Sequence, residues 1–80
     1  MRLDKFLKTA RIIKRRTVAN EAADGGRIMV NGKVTKPSYD VKIGDVIEIK
    51  FGTSNSKFRV KEIPKKQSEE TEKIVEILWK

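Results

Sequence analysis

The first 36 residues, MRLDKFLKTARIIKRRTVANEAADGGRIMVNGKVTK, contain two helical patterns, a glycine pair and a hairpin signal. In residues 2–9 the apolar side chains recur at helical spacing, which predicts a first helix with one buried face. Asp4 lies one turn before Lys8, so we expect these two side chains to pair on the exposed side. The adjacent isoleucines of ARIIKR (10–15) break the spacing and predict a short connection.

The second helical pattern is RTVANEAAD, residues 16–24. We expect Val18 and Ala22 to face inward and the alanines to allow close packing against the first helix. Gly25-Gly26 follows directly and predicts the end of this helix, because glycine readily adopts the left-handed conformation found after helices.

A β-sheet is predicted for the middle of the chain. RIMVNGKVTK (27–36) predicts a hairpin, because Asn31-Gly32 suits a type I′ turn that needs positive φ at both central residues. Apolar and polar residues alternate in the runs 41–51 and 57–63, which predicts two further half-buried strands separated by a loop at 52–56.

The last residues are ambiguous in their pattern. KKQSEE (65–70) predicts a polar connector, and TEKIVEILWK (71–80) has helical spacing, although its β-branched and aromatic residues would also suit a strand. We predict a short C-terminal helix. The chain is therefore expected to have an α+β fold, with two N-terminal helices on a small antiparallel sheet. We expect a domain at residues 1–63 and a connector with a C-terminal segment at 64–80.

The composition favours a polyanionic partner. The 80 residues carry a net charge of +8, and residues 1–40 hold ten Lys and Arg against four Asp and Glu. Nucleic acid is the first partner class that this charge suggests, and an anionic membrane surface is the second. The chain has no Cys or His, which excludes disulfides, thiolate nucleophiles and the usual zinc ligand sets. We expect no catalytic residues, no metal, no cofactor, no signal peptide and no membrane span.

Lys14, Arg15 and Arg16 form the densest cluster of positive charge. They lie where the second helix begins, and a helix N-terminus attracts anions through its free N–H groups and its dipole. The pattern indicates a phosphate-backbone site, although a solvated loop would have the same composition. The aromatic residues, Phe51 among them, occupy expected core or packing positions, so base-stacking platforms are not predicted. Recognition is expected to depend on backbone charge and shape.

Four motifs, taken in order, resemble a known family. They are RLDKFL (2–7), R-x-x-A (16–19), G-R-I-x-V-N-G-K (26–33) and K-x-G-D (42–45), and the resemblance covers roughly residues 1–52. The set is similar to the αL motif, the RNA-binding domain first described in the fourth small-subunit ribosomal protein. A free-standing domain that begins in this way resembles the bacterial ribosome-associated quality control protein P family and the heat-shock protein fifteen family. The mixed-charge C-terminal end is more similar to the first.

The resemblance implies a non-catalytic factor that binds stalled large ribosomal subunits carrying peptidyl-tRNA. It implies contacts with large-subunit rRNA and tRNA, support for alanine tailing of the nascent chain by a partner protein, and action as a monomer in the cytoplasm. The family pattern has a small hydroxyl residue where this chain has Arg15. The RNA-contacting residues implied by position are Arg2, Lys5, Lys8, Arg11, Lys14, Arg15, Arg16, Thr17, Arg27, Asn31 and Lys33. Arg2 and Arg16 match the most characteristic family positions.

Three other functions remain open at this stage. One is a subunit recycling factor like heat-shock protein fifteen. Another is an RNA-binding accessory module of an enzyme that modifies rRNA or tRNA, because related domains are fused to such enzymes. The third is a general basic binder of DNA or membranes, which would show no preference for RNA.

Overall fold

The computed structural model describes residues 1–64 and 71–79, so the predicted connector at 65–70 lies outside the described residues. Two helices precede a five-stranded antiparallel sheet, which confirms the α+β fold. The elements are α1 (Leu3–Thr9), α2 (Arg16–Asp24), β1 (Ile28–Val30), β2 (Lys33–Val34), β3 (Val46–Phe51), β4 (Ser54–Val60), α3 (Thr71–Ile74) and β5 (Val75–Trp79). No helix in the described ranges is long and apolar enough to cross a membrane.

The two N-terminal helices have the bounds that the sequence predicts to within one residue. Leu3, Phe6 and Leu7 of α1 are fully buried, as their helical spacing requires. The inward face of α2 consists of alanines, including Ala22, and its small side chains let α2 lie close to α1. Val18 was expected to face inward, but it is exposed, because the neighbouring alanine stripe occupies the contact with α1.

The predicted hairpin is confirmed. Asn31 has a φ of 54° and Gly32 a φ of 82°, so both central residues of the turn have the positive values that a type I′ turn needs. Val30 and Lys33 face each other across the turn. The sequence signal was specific because few residues other than Asn and Gly adopt this conformation without cost.

The sheet has the strand order β2-β1-β3-β4-β5, with antiparallel neighbours throughout. Its inner face carries apolar side chains, including Ile28, Ile47 and Phe58, and these join the buried residues of α1 and α2 in one core. The strands are therefore held by the helices on one side, and the helices keep their outer faces for solvent.

The loop predicted at 52–56 is shorter than expected. β4 begins at Ser54, and only Gly52-Thr53 separate it from β3, so the prediction that the strand starts at residue 57 was wrong. The pairs Phe51↔Ser54 and Lys50↔Asn55 extend the ladder through backbone hydrogen bonds that polar sequence does not reveal. Phe51 lies near this hairpin tip and is exposed, contrary to its predicted place in the core.

The C-terminal helix is limited to one turn, and the prediction that it covers residues 71–80 was wrong beyond Ile74. Residues 75–79 form β5, which pairs with β4 and contributes Val75 to the core. An open edge of β4 decides this outcome, because its N–H and C=O groups need partners and β-branched residues fit a half-buried strand. Arg59 and Glu76 also pair across the two strands at 2.9 Å. The domain boundary at residue 63 stays a prediction, although β5 belongs to the same sheet.

Candidate nucleic-acid interface

One buried carboxylate brings together the two arginines that the sequence ranks first. Asp4, on the first turn of α1, has a side chain that is only 3% exposed. Its Oδ1 accepts a hydrogen bond from Arg2 Nε at 3.2 Å, and its Oδ2 lies 3.4 Å from Arg16 Nε. The two arginine side chains are 50% and 45% exposed, so each guanidinium is anchored on its inner side and open to solvent on its outer side.

Asp4 has two further hydrogen-bond donors. Asn20 Nδ2 of α2 donates to Oδ2 at 3.2 Å, and the backbone N–H of Lys5 donates to Oδ1 at 2.8 Å. Burial by itself would raise the pKa of Asp4, but the hydrogen bonds from Asn20, Lys5, Arg2 and Arg16 outweigh it and hold the pKa below the usual value. The expected pairing of Asp4 with Lys8 was wrong, since the carboxylate points into the contact between α1 and α2.

This arrangement suits a phosphate group. A guanidinium has five N–H donors, and Arg2 uses its Nε and one Nη2 donor on Asp4. Its remaining donors are available to an anion that approaches from outside, as are those of Arg16 beyond its Nε contact. Because the carboxylate fixes both side chains beforehand, less side-chain entropy would be lost on binding an anion.

The turn between α1 and α2 adds cations near the N-terminus of α2, next to Arg16. Arg11 has a φ of 61°, the left-handed conformation that normally favours glycine after a helix. The N–H of Ile12 bonds to the carbonyl of Leu7, and the N–H of Arg11 bonds to that of Lys8, which closes the C-terminus of α1. The side chains of Lys14 and Arg15 are exposed beyond this turn.

The first turn of α2 lacks a capping side chain. Arg15 is the N-cap, its backbone is extended, and its side chain makes no cap hydrogen bond within the described structure. Thr17 was expected as a capping or first-turn hydroxyl, and it lies exposed on the first turn. The uncapped N–H groups and the dipole of α2 favour an anion here, close to Arg16.

The segment that carries Arg2 is fastened to the loop before β3. The ammonium group of Met1 lies 2.7 Å from Asp40 Oδ1 and holds the pKa of that exposed carboxyl below its usual value. The N–H of Leu3 donates to the carbonyl of Tyr39 at 2.8 Å, and that of Val41 donates to Met1 at 2.9 Å. These bonds set the backbone position from which Arg2 reaches Asp4.

The hairpin turn is held by a second buried carboxylate. Asp45 accepts hydrogen bonds from Asn31 Nδ2 at 3.0 Å, from the Tyr39 hydroxyl at 2.8 Å and from the N–H of Lys42 at 2.9 Å. Burial would raise the pKa of Asp45, and these three donors together lower it below its usual value. The hydrogen bond to Asp45 also raises the pKa of the Tyr39 hydroxyl. Asn31 therefore has a structural role, and its Oδ1 also accepts from the N–H of Val46 at 3.0 Å.

The predicted RNA-contacting residues fall into groups. Arg2, Arg16 and Thr17 lie around Asp4 and Asn20. Arg16 and Thr17, together with Asp4 and Asn20, line a groove of about 300 Å³. Arg27 lies beyond the opposite end of α2, about 12 Å of helix from Arg16, so the structure does not join it to this group. The other exposed cations lie on α1 (Lys5 and Lys8), on the interhelical turn (Arg11, Lys14 and Arg15) and at the hairpin (Lys33). Whether each one contacts RNA stays a prediction.

Asp4 and Asn20 were missing from the predicted site. The sequence contains a signal for Asp4, because at 100° per residue it borders the apolar stripe of Leu3 and Leu7 and is therefore near the packed face. No comparable signal exists for Asn20, since its burial depends on the angle between the two helices. The pairing of Tyr39 with Asp45 depends in the same way on loop geometry.

Three comparisons relate the chain to known proteins. The family model described as S4 domain matches residues 1–47. A Streptococcus pneumoniae protein named RQC P-site tRNA stabilizing factor is 56% identical over 90% of this chain and 80% of its own length. The Bacillus subtilis protein of the same name is 54% identical over 79% of this chain and 73% of its own length.

A solved structure shares the fold. The trimeric structure of Vibrio cholerae heat shock protein 15 matches 96% of this chain and 80% of its own chain, with a TM-score of 0.87 and 30% sequence identity. The fold predicted from the αL motif is therefore confirmed by both the sequence match and the structural match.

Proposed function

Because this chain belongs to the S4 domain family, we propose that it is a non-catalytic RNA-binding factor that contacts P-site tRNA on the large ribosomal subunit. Its role is in ribosome-associated quality control, where it binds stalled subunits that carry peptidyl-tRNA. The proposal extends to this chain the activity named for the relatives that are more than half identical to it.

The observation that carries the proposal is the anchored pair of Arg2 and Arg16 on Asp4. Two guanidiniums held on one carboxylate at the uncapped end of α2 form a rigid anion site, and RNA supplies phosphates that fit it. The cations of α1 and of the interhelical turn extend the positively charged surface along which a strand of RNA can lie.

Sedimentation with purified large subunits tests the proposal. Arg16→Ala is expected to weaken binding and to reduce the slope of log K against log salt by about 0.7–0.9, the share of one phosphate contact. Arg59→Ala is the matched control, because Arg59 is similarly exposed and ion-paired but lies on the sheet. If the Arg16 variant sediments as well as wild type while the protein remains folded, the assigned site is wrong.

A second comparison addresses the tRNA. Subunits that carry P-site peptidyl-tRNA are expected to bind the protein more tightly than the same subunits without tRNA. Equal binding to both would restrict the ligand to rRNA and would contradict the tRNA part of the proposal.

The remaining parts of the proposal concern assembly and location. We expect a monomer in the cytoplasm that supports alanine tailing by a separate partner protein. The structural relative from Vibrio cholerae is described as trimeric, so light scattering of the purified protein is the direct test. A mass three times that of the 9.2 kDa chain would replace the monomer with a trimer.

A further inference from the structure

A groove lies beside the hairpin, separate from the residues around Asp4. It has a volume of about 550 Å³ and runs between β2 and the loop that follows it. Its walls include Lys33 and Val34 on the hairpin side and Lys36, Ser38 and Tyr39 on the loop side. This volume lies within the range of small-molecule sites in proteins.

The walls of the groove are fixed by hydrogen bonds. The Tyr39 hydroxyl donates to buried Asp45 at 2.8 Å, and the Tyr39 N–H donates to the carbonyl of Lys36 at 3.1 Å. On the hairpin side, the Thr35 hydroxyl donates to the carbonyl of Lys33 at 2.7 Å. The groove is therefore formed before a ligand binds, which keeps the ordering cost of binding low.

Two kinds of surface meet in the groove. Val34, which is 65% exposed, and Tyr39, which is half-buried, both line the groove. Lys33 and Lys36 also line the groove, and both are exposed and supply positive charge. Among the described residues that line the groove, none is acidic. A lining that combines an apolar residue, an aromatic residue and two lysines suits a nucleotide, which has a base with phosphates on both sides.

The groove adjoins the arginine site through the loop that fastens the N-terminal segment. Tyr39 lines the groove with its side chain and accepts the N–H of Leu3 with its carbonyl. Arg2 pairs with the next residue, Asp40, in an isolated β-bridge. The groove and the arginine site are therefore joined through the backbone of residues 39 and 40.

We propose that the groove between β2 and the loop 36–39 holds one unpaired nucleotide of the bound RNA. The base packs against Val34 and Tyr39, and the phosphates on its two sides contact Lys33 and Lys36. This inference rests on the proposed RNA-binding function. It adds a preference for single-stranded RNA next to the RNA segment that α1 and α2 bind. It also gives the hairpin a base-contacting role, where charge and shape alone were expected.

An NMR titration with two RNAs tests the inference. The probes are a blunt RNA duplex and the same duplex with a single-stranded 3′ tail of mixed sequence. Both RNAs are expected to shift the resonances of Arg2, Arg16 and their neighbours. Only the tailed RNA is expected to shift the methyl groups of Val34 and the ring of Tyr39.

Two variants with matched controls measure the contribution of the groove. Val34→Thr is expected to weaken binding of the tailed RNA about three- to five-fold and to leave the blunt duplex unchanged, because one apolar contact is lost. Ile43→Thr is its control, since Ile43 is 67% exposed outside the groove. Lys36→Gln is expected to lower the salt slope by about 0.7 for the tailed RNA only, with Lys61→Gln as its control.

Each result has a distinct meaning. If both RNAs shift the helix residues and neither shifts Val34 or Tyr39, the groove assignment is overturned and the proposed function stands. If neither RNA shifts the helix residues, the proposed function fails, and the groove inference fails with it. A polyglutamate peptide that shifts Val34 and Tyr39 as strongly as the tailed RNA would show a site for acidic peptides and would also overturn the assignment.

Discussion

The substitution Asp4→Asn separates two explanations of how the arginines act. It removes the one buried negative charge between Arg2 and Arg16 and keeps the size of the side chain. If net charge alone determines affinity for RNA, this change should strengthen binding, because the local charge rises by one. If Asp4 positions the two guanidiniums, binding should weaken in spite of the added positive charge.

The loss of stability can be worked out from the contacts of Asp4. Its two oxygens face five donors from four residues, because Arg2 contributes both Nε and Nη2, and an amide replaces one of these oxygens with a donor. If the amide NH₂ takes the Oδ2 position, it faces Asn20 Nδ2, Arg16 Nε and the longer contact of Arg2 Nη2, so three favourable contacts become unfavourable. Hydrogen bonds to charged groups contribute about 1.5–3 kcal/mol each. The loss is smaller here because Arg16, which is about half exposed, can hydrogen-bond to water instead. We expect a total loss of about 2 kcal/mol.

Urea unfolding followed by circular dichroism measures this loss, and for a domain of this size it corresponds to a fall in Tm of roughly 8–16 °C. Fluorescence anisotropy with a tailed RNA duplex, at a temperature where the variant is folded, measures the affinity. We expect the affinity of Asp4→Asn to fall about ten-fold, the equivalent of about 1.4 kcal/mol of lost positioning.

Asp24→Asn is the matched control. It makes the same chemical change and the same change in net charge at an exposed position near the end of α2. Removal of a negative charge from a helix C-terminus is neutral or slightly stabilising, and its effect on RNA affinity should be neutral or favourable. A folded Asp4→Asn protein that binds RNA as tightly as wild type, or more tightly, would refute a positioning role for Asp4.

Two further predictions concern stability. Arg11→Gly is expected to have a free energy of unfolding up to about 1 kcal/mol higher than Arg11→Ala, because both variants lose the side chain and only glycine adopts the φ of 61° without strain. A urea midpoint for Arg11→Gly below that of Arg11→Ala would contradict this, and both variants are expected to bind RNA more weakly through the lost cation. Asp4 and Asp45 have pKa values below 3.8 in the folded protein, so their contribution to stability is present above about pH 4 and is lost as the pH falls through their folded-state values. Urea midpoints measured from neutral pH to pH 2 should fall steeply below pH 4. A flat profile below pH 4 would contradict the stabilising role of these two carboxylates.

The sequence was sufficient for the elements whose signals are local. The bounds of α2 matched because a helical pattern ends at a glycine pair, and the hairpin matched because few residues other than Asn and Gly adopt the positive φ values of its turn. Arg2 and Arg16 could be ranked first through the family resemblance, but their meeting on Asp4 could not be derived from spacing. It requires the packing of α1 against α2.

The features that the sequence did not predict depend on distant parts of the chain. Residues 75–79 fit either a helix or a strand, and the open edge of β4 decided between them. Val18 is apolar and lies within one turn of the buried alanines, yet the close approach of α1 leaves it outside the contact. The groove beside β2 likewise depends on where Asp45 holds Tyr39.

The order of the strands has a consequence for how the protein folds. Three of the four pairings in the sheet, β1–β2, β3–β4 and β4–β5, join strands that follow one another along the chain, and β1–β3 skips only the two-residue β2. The helices are likewise adjacent in sequence. Hairpin-type pairings between consecutive strands require shorter loops to close than distant pairings would, which lowers the entropic cost of forming the sheet. The arginine site depends on both kinds of contact, because Arg16 reaches Asp4 through the packing of α1 on the adjacent α2, whereas Arg2 is positioned by bonds to the distant residues 39–41.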